Sequence, residues 1–390
     1  MPFEFATATR IVFGPGQVAE LDTAAAGFGA SALWVTGSRP ERHGAVAARL
    51  ERAGVRLTPF QVAGEPTIQD VERGVSAARH GKCQWVVACG GGSVMDAGKA
   101  IAALVTNQRP ILDYLEIVGR GQPLTEAPLP FVAIPTTAGT GAEVTRNAVL
   151  GVPEHRVKVS LRSPRMLPTL ALVDPDLTLE LPRELTASTG LDALTQLIEP
   201  FVSIRANSMT DALCREGIRK AAIALPAVLV DGADRTAREA MSLASLFGGL
   251  ALANAGLGAV HGFAGPLGGM YPAPHGAVCA ALLVPVCEAN WRRLSAGPDP
   301  SGIAGRYNEV AQLLTGSPKA SARDGFAWIR ELVASASIPN LSHWGVRRDH
   351  LDDLLPKAAA AGSMKGNPVV LAPEELRSVV ESALESAVGR

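Results

Sequence analysis

Nowhere in the 390-residue chain do apolar residues run uninterrupted for the ~18 positions a membrane-spanning helix requires. The opening "MPFEFATATR" carries an acid at Glu4 and lacks an apolar core, so no secretion signal is expected and the cytoplasm is the default compartment. The five cysteines, Cys83, Cys89, Cys214, Cys279 and Cys287, are odd in number and form no CxxC pair. That argues against a disulfide framework and for reduced, mostly buried thiols. Lys and Arg number 36 against 37 Asp and Glu, a net charge of -1. No basic excess is present to hold nucleic acid or an anionic membrane. No HExxH zinc motif, G-x-G-x-x-G fingerprint or Walker loop occurs.

What is present suits a folded enzyme. Hydrophobic residues make up 47% and charged residues 19%, enough for a sizeable core spread over two or three domains. The first half alternates short apolar runs with helical stretches. "ALWVTG", "VRLTPFQV", "QWVVACG", "LPFVAIPT" and "LALVD" read as strands of a parallel sheet buried on both faces. In "SVMDAGKAIAALV", Val94, Ala97, Ile101, Leu104 and Val105 fall on one helical stripe. "TIQD", Thr67 to Asp70, has the form of a capping box. After "LALVDPDLTLELP" β-branched runs become rare and long helical patterns follow. The expectation is an α/β domain over residues 1–180 and an all-helical domain over 181–390.

Two loops carry chemistry. "CGGGSVMDAGKA" runs from a strand through three glycines into a helix, where bare backbone N–H groups and the helix dipole can meet a diphosphate. "IPTTAGTGAEVT" also follows a strand and offers the hydroxyls of Thr136, Thr137 and Thr140. Either alone could be a plain tight turn; the pair suits a dinucleotide crevice. At the end of the first long strand, "VTGSRPERH" has no carboxylate for the ribose hydroxyls. It has Gly37, Ser38 and Arg39, with Arg42 nearby, which suits a 2′-phosphate and so tilts the cofactor to NADP(H) over NAD(H). The competing reading leaves both arginines as solvated surface charges.

His43, His80, His155, His343 and His350 lie in polar surroundings and read as surface residues. His261 and His275 flank "HGFAGPLGGMYPAPH", a stretch that reads as a glycine- and proline-rich loop between apolar helices. With Asp192 upstream they could complete a divalent metal site, or they could be hydrogen-bonded core histidines.

These motifs together resemble the iron-containing (group III) alcohol dehydrogenase family over essentially the whole chain: "FGPG", "GGGSVMDAGKAIA", "IPTTAGTGAEVT", "LVDPDLTLELP", "TGLDALTQLIEP" and "AVHGFAGPLGGMYPAPHG" fall in the family's order. The resemblance implies a Rossmann-like dinucleotide-binding domain followed by an all-α domain, the two-domain plan of dehydroquinate synthase-like proteins. It implies cofactor contacts at Gly91, Gly92, Ser93, Asp96, Thr136, Thr137, Thr140 and Lys158. It places Asp192, His261 and His275 in a metal shell for Fe2+ or Zn2+, and it implies a homo-oligomer. Family members commonly carry histidine where Gln196 stands and a second histidine where Gly265 stands, and NAD-specific members often have aspartate where Gly37 stands. Gln196 is therefore open to three readings: a weak amide ligand, a hydrogen-bond partner of substrate or water, or a structural residue in a site with little or no metal.

The expected activity is hydride transfer between nicotinamide and a metal-polarised alcohol or aldehyde, with His275 and Gln196 at the reacting centre. The alternative is a metal-independent reductase of the maleylacetate reductase type; the apolar and small residues around the motifs argue mildly against its dicarboxylate substrate. A dehydroquinate synthase-type lyase would need a dense basic cluster that these stretches lack. A non-catalytic binding protein is disfavoured by the ligand residues that remain.

Overall fold

The computed structural model describes residues 2–155, 157–297, 299 and 301–385. The chain divides into two compact units, one of Ala6–Thr137 with Gly141–Leu179, the other of Glu180–Arg390 with Met1–Phe5 and Ala138–Thr140. The reading of the sequence places a single cut near residue 180 and does not foresee the short segment Ala138–Thr140 joining the helical unit. It does so because Gly139 lies directly against Thr189, where an added Cβ would come within 2.7 Å of the Thr189 Cβ.

The α/β unit runs β1 (Arg10–Phe13), α1 (Leu21–Ala24), β2 (Ser31–Thr36), α2 (Gly44–Arg52), β3 (Arg56–Gln61), α3 (Ile68–His80), β4 (Trp85–Gly90), α4 (Gly92–Thr106), β5 (Phe131–Pro135), β6 (Asn147–Val152), β7 (Val157–Arg162) and β8 (Leu170–Val173). Six strands form one sheet in the order β1-β8-β5-β4-β2-β3, every pairing parallel. β2, β4, β5 and β8 are buried at every position, as their continuous apolar runs require. β3 closes one edge, where Pro59 is tolerated, and none of its residues is buried, so the expectation that this run is buried on both faces is corrected. The Thr67 box is formed: the Thr67 hydroxyl accepts from Asp70 N–H (3.2 Å) and Asp70 Oδ2 accepts from Thr67 N–H (2.9 Å). After β3 the chain crosses back over β2 to place β4, so β2 and β4 flank the reversal point of the sheet. Doubly wound sheets open their ligand crevice at the carboxyl ends of such strands.

The antiparallel hairpin β6–β7 has no counterpart among the expected strands. Its buried residues, Ala148, Leu150, Val152, Val159 and Leu161, alternate with more exposed ones. That is the period-two signal of a one-sided ribbon, distinct from a continuous apolar run.

The helical unit comprises α5 (Arg183–Val202), α6 (Ser208–Val230), α7 (Arg235–Ala255), α8 (Ala259–Met270), α9 (His275–Ser295), α10 (Ile303–Thr315), α11 (Ala322–Ser335), α12 (Leu351–Ala360) and α13 (Pro373–Glu385). α5 has 16 of its 20 residues buried, so it is apolar almost all round and its few polar side chains need partners inside the protein. The glycine-rich stretch after His261 is a helix, α8, and the expectation of a loop there is corrected. Val260, His261, Gly262, Phe263, Ala264 and Leu267 are buried, and tertiary packing overrides the low helix propensity of four glycines and Pro266. At Gly262 a Cβ would meet Met364 at 2.7 Å, so glycine there permits close packing. Among the described residues no single helix is long and apolar enough to cross a membrane.

Candidate active site: a carboxylate, two imidazoles and a thiol

In the α/β unit the expected cofactor residues cluster at strand ends. Gly37 follows β2, Gly91 and Gly92 follow β4, and Thr136 and Thr137 follow β5, three strands adjacent in the sheet. Gly91 opens α4 with no side-chain cap, so the first helical N–H groups remain available to an anion. A Cβ on Gly91 would sit 3.3 Å from Thr137 Cγ2, which brings the two loops side by side. Thr136 N–H donates to the Gly90 carbonyl (2.9 Å), joining them through backbone. Ser93 is half-buried in the first turn of α4, while Ser38 and Arg39 are exposed past the end of β2. Asp96 and Lys158 have protein partners: Asp96 Oδ2 accepts from Val149 N–H (3.0 Å), and Lys158 pairs with Glu65.

In the helical unit three helices converge. α5 supplies Asp192 and Gln196, one turn apart and both buried. α8 supplies His261 and α9 begins at His275. Asp192 Oδ1 lies 3.4 Å from His261 Nε2 and 3.7 Å from His275 Nε2. That oxygen is buried and has no hydrogen-bond partner. The other oxygen, Oδ2, accepts from Gln196 Nε2 at 2.8 Å. Only the NH2 end of the amide can donate to a carboxylate, so Gln196 Oε1 is turned away, and it too is buried without a partner.

Two residues at this centre escaped the reading of the sequence. Glu199, one turn further along α5 and buried, holds His261: its Oε2 is 2.6 Å from His261 Nδ1, and its Oε1 accepts from Val260 N–H at 2.7 Å. One carboxylate thus caps the first turn of α8 and holds the imidazole by Nδ1, which leaves Nε2 facing Asp192, the orientation in which partners commonly set a metal-ligating histidine. Cys279, one turn into α9 from His275, places Sγ 3.9 Å from His261 Nε2 and 3.7 Å from His275 Nε2. The donor atoms of Asp192, His261, His275 and Cys279 all lie within 4.8 Å of one another. Spacing could have flagged both: Glu199 follows Asp192 by seven residues and Cys279 follows His275 by four, each on the shared helix face.

Gly276 allows this convergence. A Cβ there would fall 2.2 Å from the Ser188 carbonyl oxygen, so the first turn of α9 touches the backbone of α5. The electrostatics match the donor set. Burial works against charge on His275, but its contacts with Cys279 and the Asp192 carboxylate outweigh it and push the imidazole up to about 9. Burial likewise opposes charge on His261, and Cys279, Glu199 and Asp192 still hold it well above the ordinary range. Burial would raise Asp192, yet the two imidazoles and Gln196 bring it below the usual carboxylate value. The pocket attracts positive charge. Of the remaining histidines, His350 is half-buried, stacked on Tyr271 and bonded to its hydroxyl at 2.6 Å, where an exposed residue was expected.

Comparisons with known proteins agree with this architecture. Residues 8–175 match the family model of iron-containing alcohol dehydrogenases, and residues 186–384 match its C-terminal counterpart. The chain is 36% identical to the 1,3-propanediol dehydrogenase of Klebsiella pneumoniae over 367 residues, covering 91% of this chain and 92% of the relative. It is 32% identical to the NAD-dependent methanol dehydrogenase of Bacillus methanolicus, covering 96% and 97%. A solved structure of a 1,3-propanediol oxidoreductase superposes with a TM-score of 0.91 at 33% identity, covering 98% of this chain and 100% of that one. The protein is an oxidoreductase acting on CH–OH groups, an alcohol dehydrogenase in class. It belongs to the iron-containing alcohol dehydrogenase family.

Proposed function

We propose that the protein is a metal-dependent, nicotinamide-linked alcohol dehydrogenase and aldehyde reductase that passes hydride between the cofactor and the reacting carbon of a small alcohol or aldehyde. The observation that carries this is the convergence of Asp192 Oδ1 with His261 Nε2 and His275 Nε2, the oxygen buried and lacking a hydrogen-bond partner. A buried carboxylate oxygen beside two imidazole nitrogens fits a divalent ion such as Fe2+ or Zn2+. Such an ion supplies Lewis-acid polarisation of the substrate oxygen.

The chain's own residues do the rest. Asp192, His261 and His275 hold the ion, and Glu199 keeps His261 in the ligating orientation. Gln196 engages Asp192 Oδ2, which leaves Oδ1 for the ion, and its unpartnered Oε1 would accept a hydrogen bond from a substrate hydroxyl or a water. His275, with 38% of its side chain exposed, is the more solvent-accessible of the two imidazoles and the one that would pass a proton to solvent. Gly265, four residues after His261, faces open space and offers no second carrier. The dinucleotide is held by Gly37, Ser38, Arg39, Gly91, Gly92, Ser93, Asp96, Thr136, Thr137, Thr140 and Lys158. Exposed Arg39, in place of an acid, favours NADP(H). NAD(H), the cofactor in the name of the Bacillus methanolicus relative, would leave Arg39 in solvent.

The test is consumption of NADPH or NADH on a panel of aldehydes and keto acids, with and without a chelator. Activity on aldehydes, abolished by chelation and restored by Fe2+ or Zn2+, is expected. Full activity after complete chelation overturns the metal-dependent reading.

A further inference from the structure

We propose that Cys279 ligates the same ion as a thiolate, so that the fourth protein donor is sulfur and not the Gln196 amide. This rests on the metal-dependent reading above and goes beyond it by specifying the donor set and the metal it prefers.

The geometry carries the proposal. Around a tetrahedral ion with N and O donors at roughly 2.0–2.1 Å and sulfur at roughly 2.3 Å, neighbouring N and O donors stand roughly 3.3 Å apart and N and S donors roughly 3.6 Å apart. The observed separations are 3.4 and 3.7 Å from Asp192 Oδ1 to the two imidazole nitrogens. They are 3.7 and 3.9 Å from Cys279 Sγ to the same nitrogens. Four of the six edges of the donor set thus lie within a few tenths of an ångström of the tetrahedral values, and the other two, between the imidazoles and between Asp192 and Cys279, are no longer than 4.8 Å. The unpartnered Asp192 Oδ1, on a residue only 2% exposed, lies among these same donors. Gln196, the positional alternative, points its amide nitrogen at Asp192 Oδ2, and its neutral amide oxygen is a weaker donor than a thiolate.

The sulfur changes the chemistry. Binding releases the thiol proton to solvent. Asp192 and a Cys279 thiolate then neutralise a divalent ion, where Asp192 alone leaves it singly positive. A thiolate also moves preference toward Zn2+ and away from Fe2+. The other four cysteines are buried away from this cluster and cannot substitute.

Cobalt(II) reports the donor directly. Purified full-length protein is stripped with chelator, reloaded with Co2+ and followed by electronic absorption and titration. One bound Co2+ per chain is expected, with tetrahedral ligand-field bands and a near-ultraviolet thiolate-to-cobalt charge-transfer band. Cys279→Ser should lose the charge-transfer band, keep the ligand-field bands and bind Co2+ roughly tenfold or more weakly; Gln196→Ala should keep the charge-transfer band. Bound Co2+ without that band, or a band that survives Cys279→Ser, overturns the thiolate proposal and leaves the metal-dependent reading standing. A folded wild-type protein that binds no Co2+ overturns both. X-ray absorption on the zinc-loaded wild type needs no variant: one sulfur neighbour at about 2.3 Å is expected, and a shell of nitrogen and oxygen alone overturns the assignment.

Discussion

Glu199 Oε2 stands 2.6 Å from His261 Nδ1 while its partner oxygen receives the Val260 N–H at the start of α8. The same carboxylate therefore orients an imidazole and caps the helix that carries it. Glu199→Gln keeps the size and removes the charge. Metal affinity is expected to fall about 10- to 100-fold, as for other partners of ligating histidines, and chelator competition measures it. Unchanged affinity would show that His261 is oriented by packing alone.

Gly276→Ala tests the contact between α9 and α5. The added methyl would sit 2.2 Å from the Ser188 carbonyl and has to push the first turn of α9 outward. A stability loss of about 1–3 kcal/mol is expected from such overpacking, with a larger proportional loss in activity because His275 and Cys279 move with that turn. Denaturant unfolding alongside turnover checks both; a variant with native stability and activity would contradict the close approach.

Glu143 gives a pH signature in the α/β unit. It is buried beside Lys99, which donates to Thr145 Oγ1 at 2.9 Å and pairs with Asp96 at 3.2 Å. Burial pushes Glu143 up from 4.5 to about 7, although its own backbone N–H and Lys99 pull the other way. Between those values the folded chain keeps a proton that the unfolded chain has released, so stability is greatest below 4.5 in this respect and falls as pH rises to 7. The gap is worth roughly 3 kcal/mol. Glu143→Gln removes this component and with it the attraction that Glu143 exerts on Lys99. The difference in unfolding free energy between variant and wild type should grow in the variant's favour from pH 5 to pH 8; a constant difference refutes the shift.

Arg39 is exposed past the end of β2 and decides between cofactors if it reaches the ribose phosphate. Arg39→Ala should lower kcat/KM for NADPH by about 10- to 100-fold, the worth of a charge-assisted contact, and leave NADH nearly unchanged. A wild type that prefers NADH by more than about tenfold makes Arg39 a surface charge.

The legible part of this molecule was the part written in long-range pattern. Continuous apolar runs announced the fully buried strands, and "TIQD" announced the cap of α3. The hairpin β6–β7 was illegible because a half-exposed ribbon alternates and never forms an apolar run. α8 was misread because its helicity comes from neighbours such as Met364 and not from its own glycines. At the site, Asp192, His261 and His275 emerged from motifs and resemblance. Glu199 and Cys279 did not, since an acid before a proline and a cysteine in an apolar helix look ordinary until folding sets them against imidazoles.

The place where α9 touches α5 also bears on how such a centre can vary. Gln196 and Cys279 lie on buried helix faces beside the carboxylate and the imidazoles, so a substitution at either would alter the donors offered to an ion. Gly276 coordinates nothing, yet any larger residue there meets the Ser188 carbonyl before it meets solvent. The freedom to change metal preference by substitution thus depends on a neighbouring position that has almost no freedom of its own.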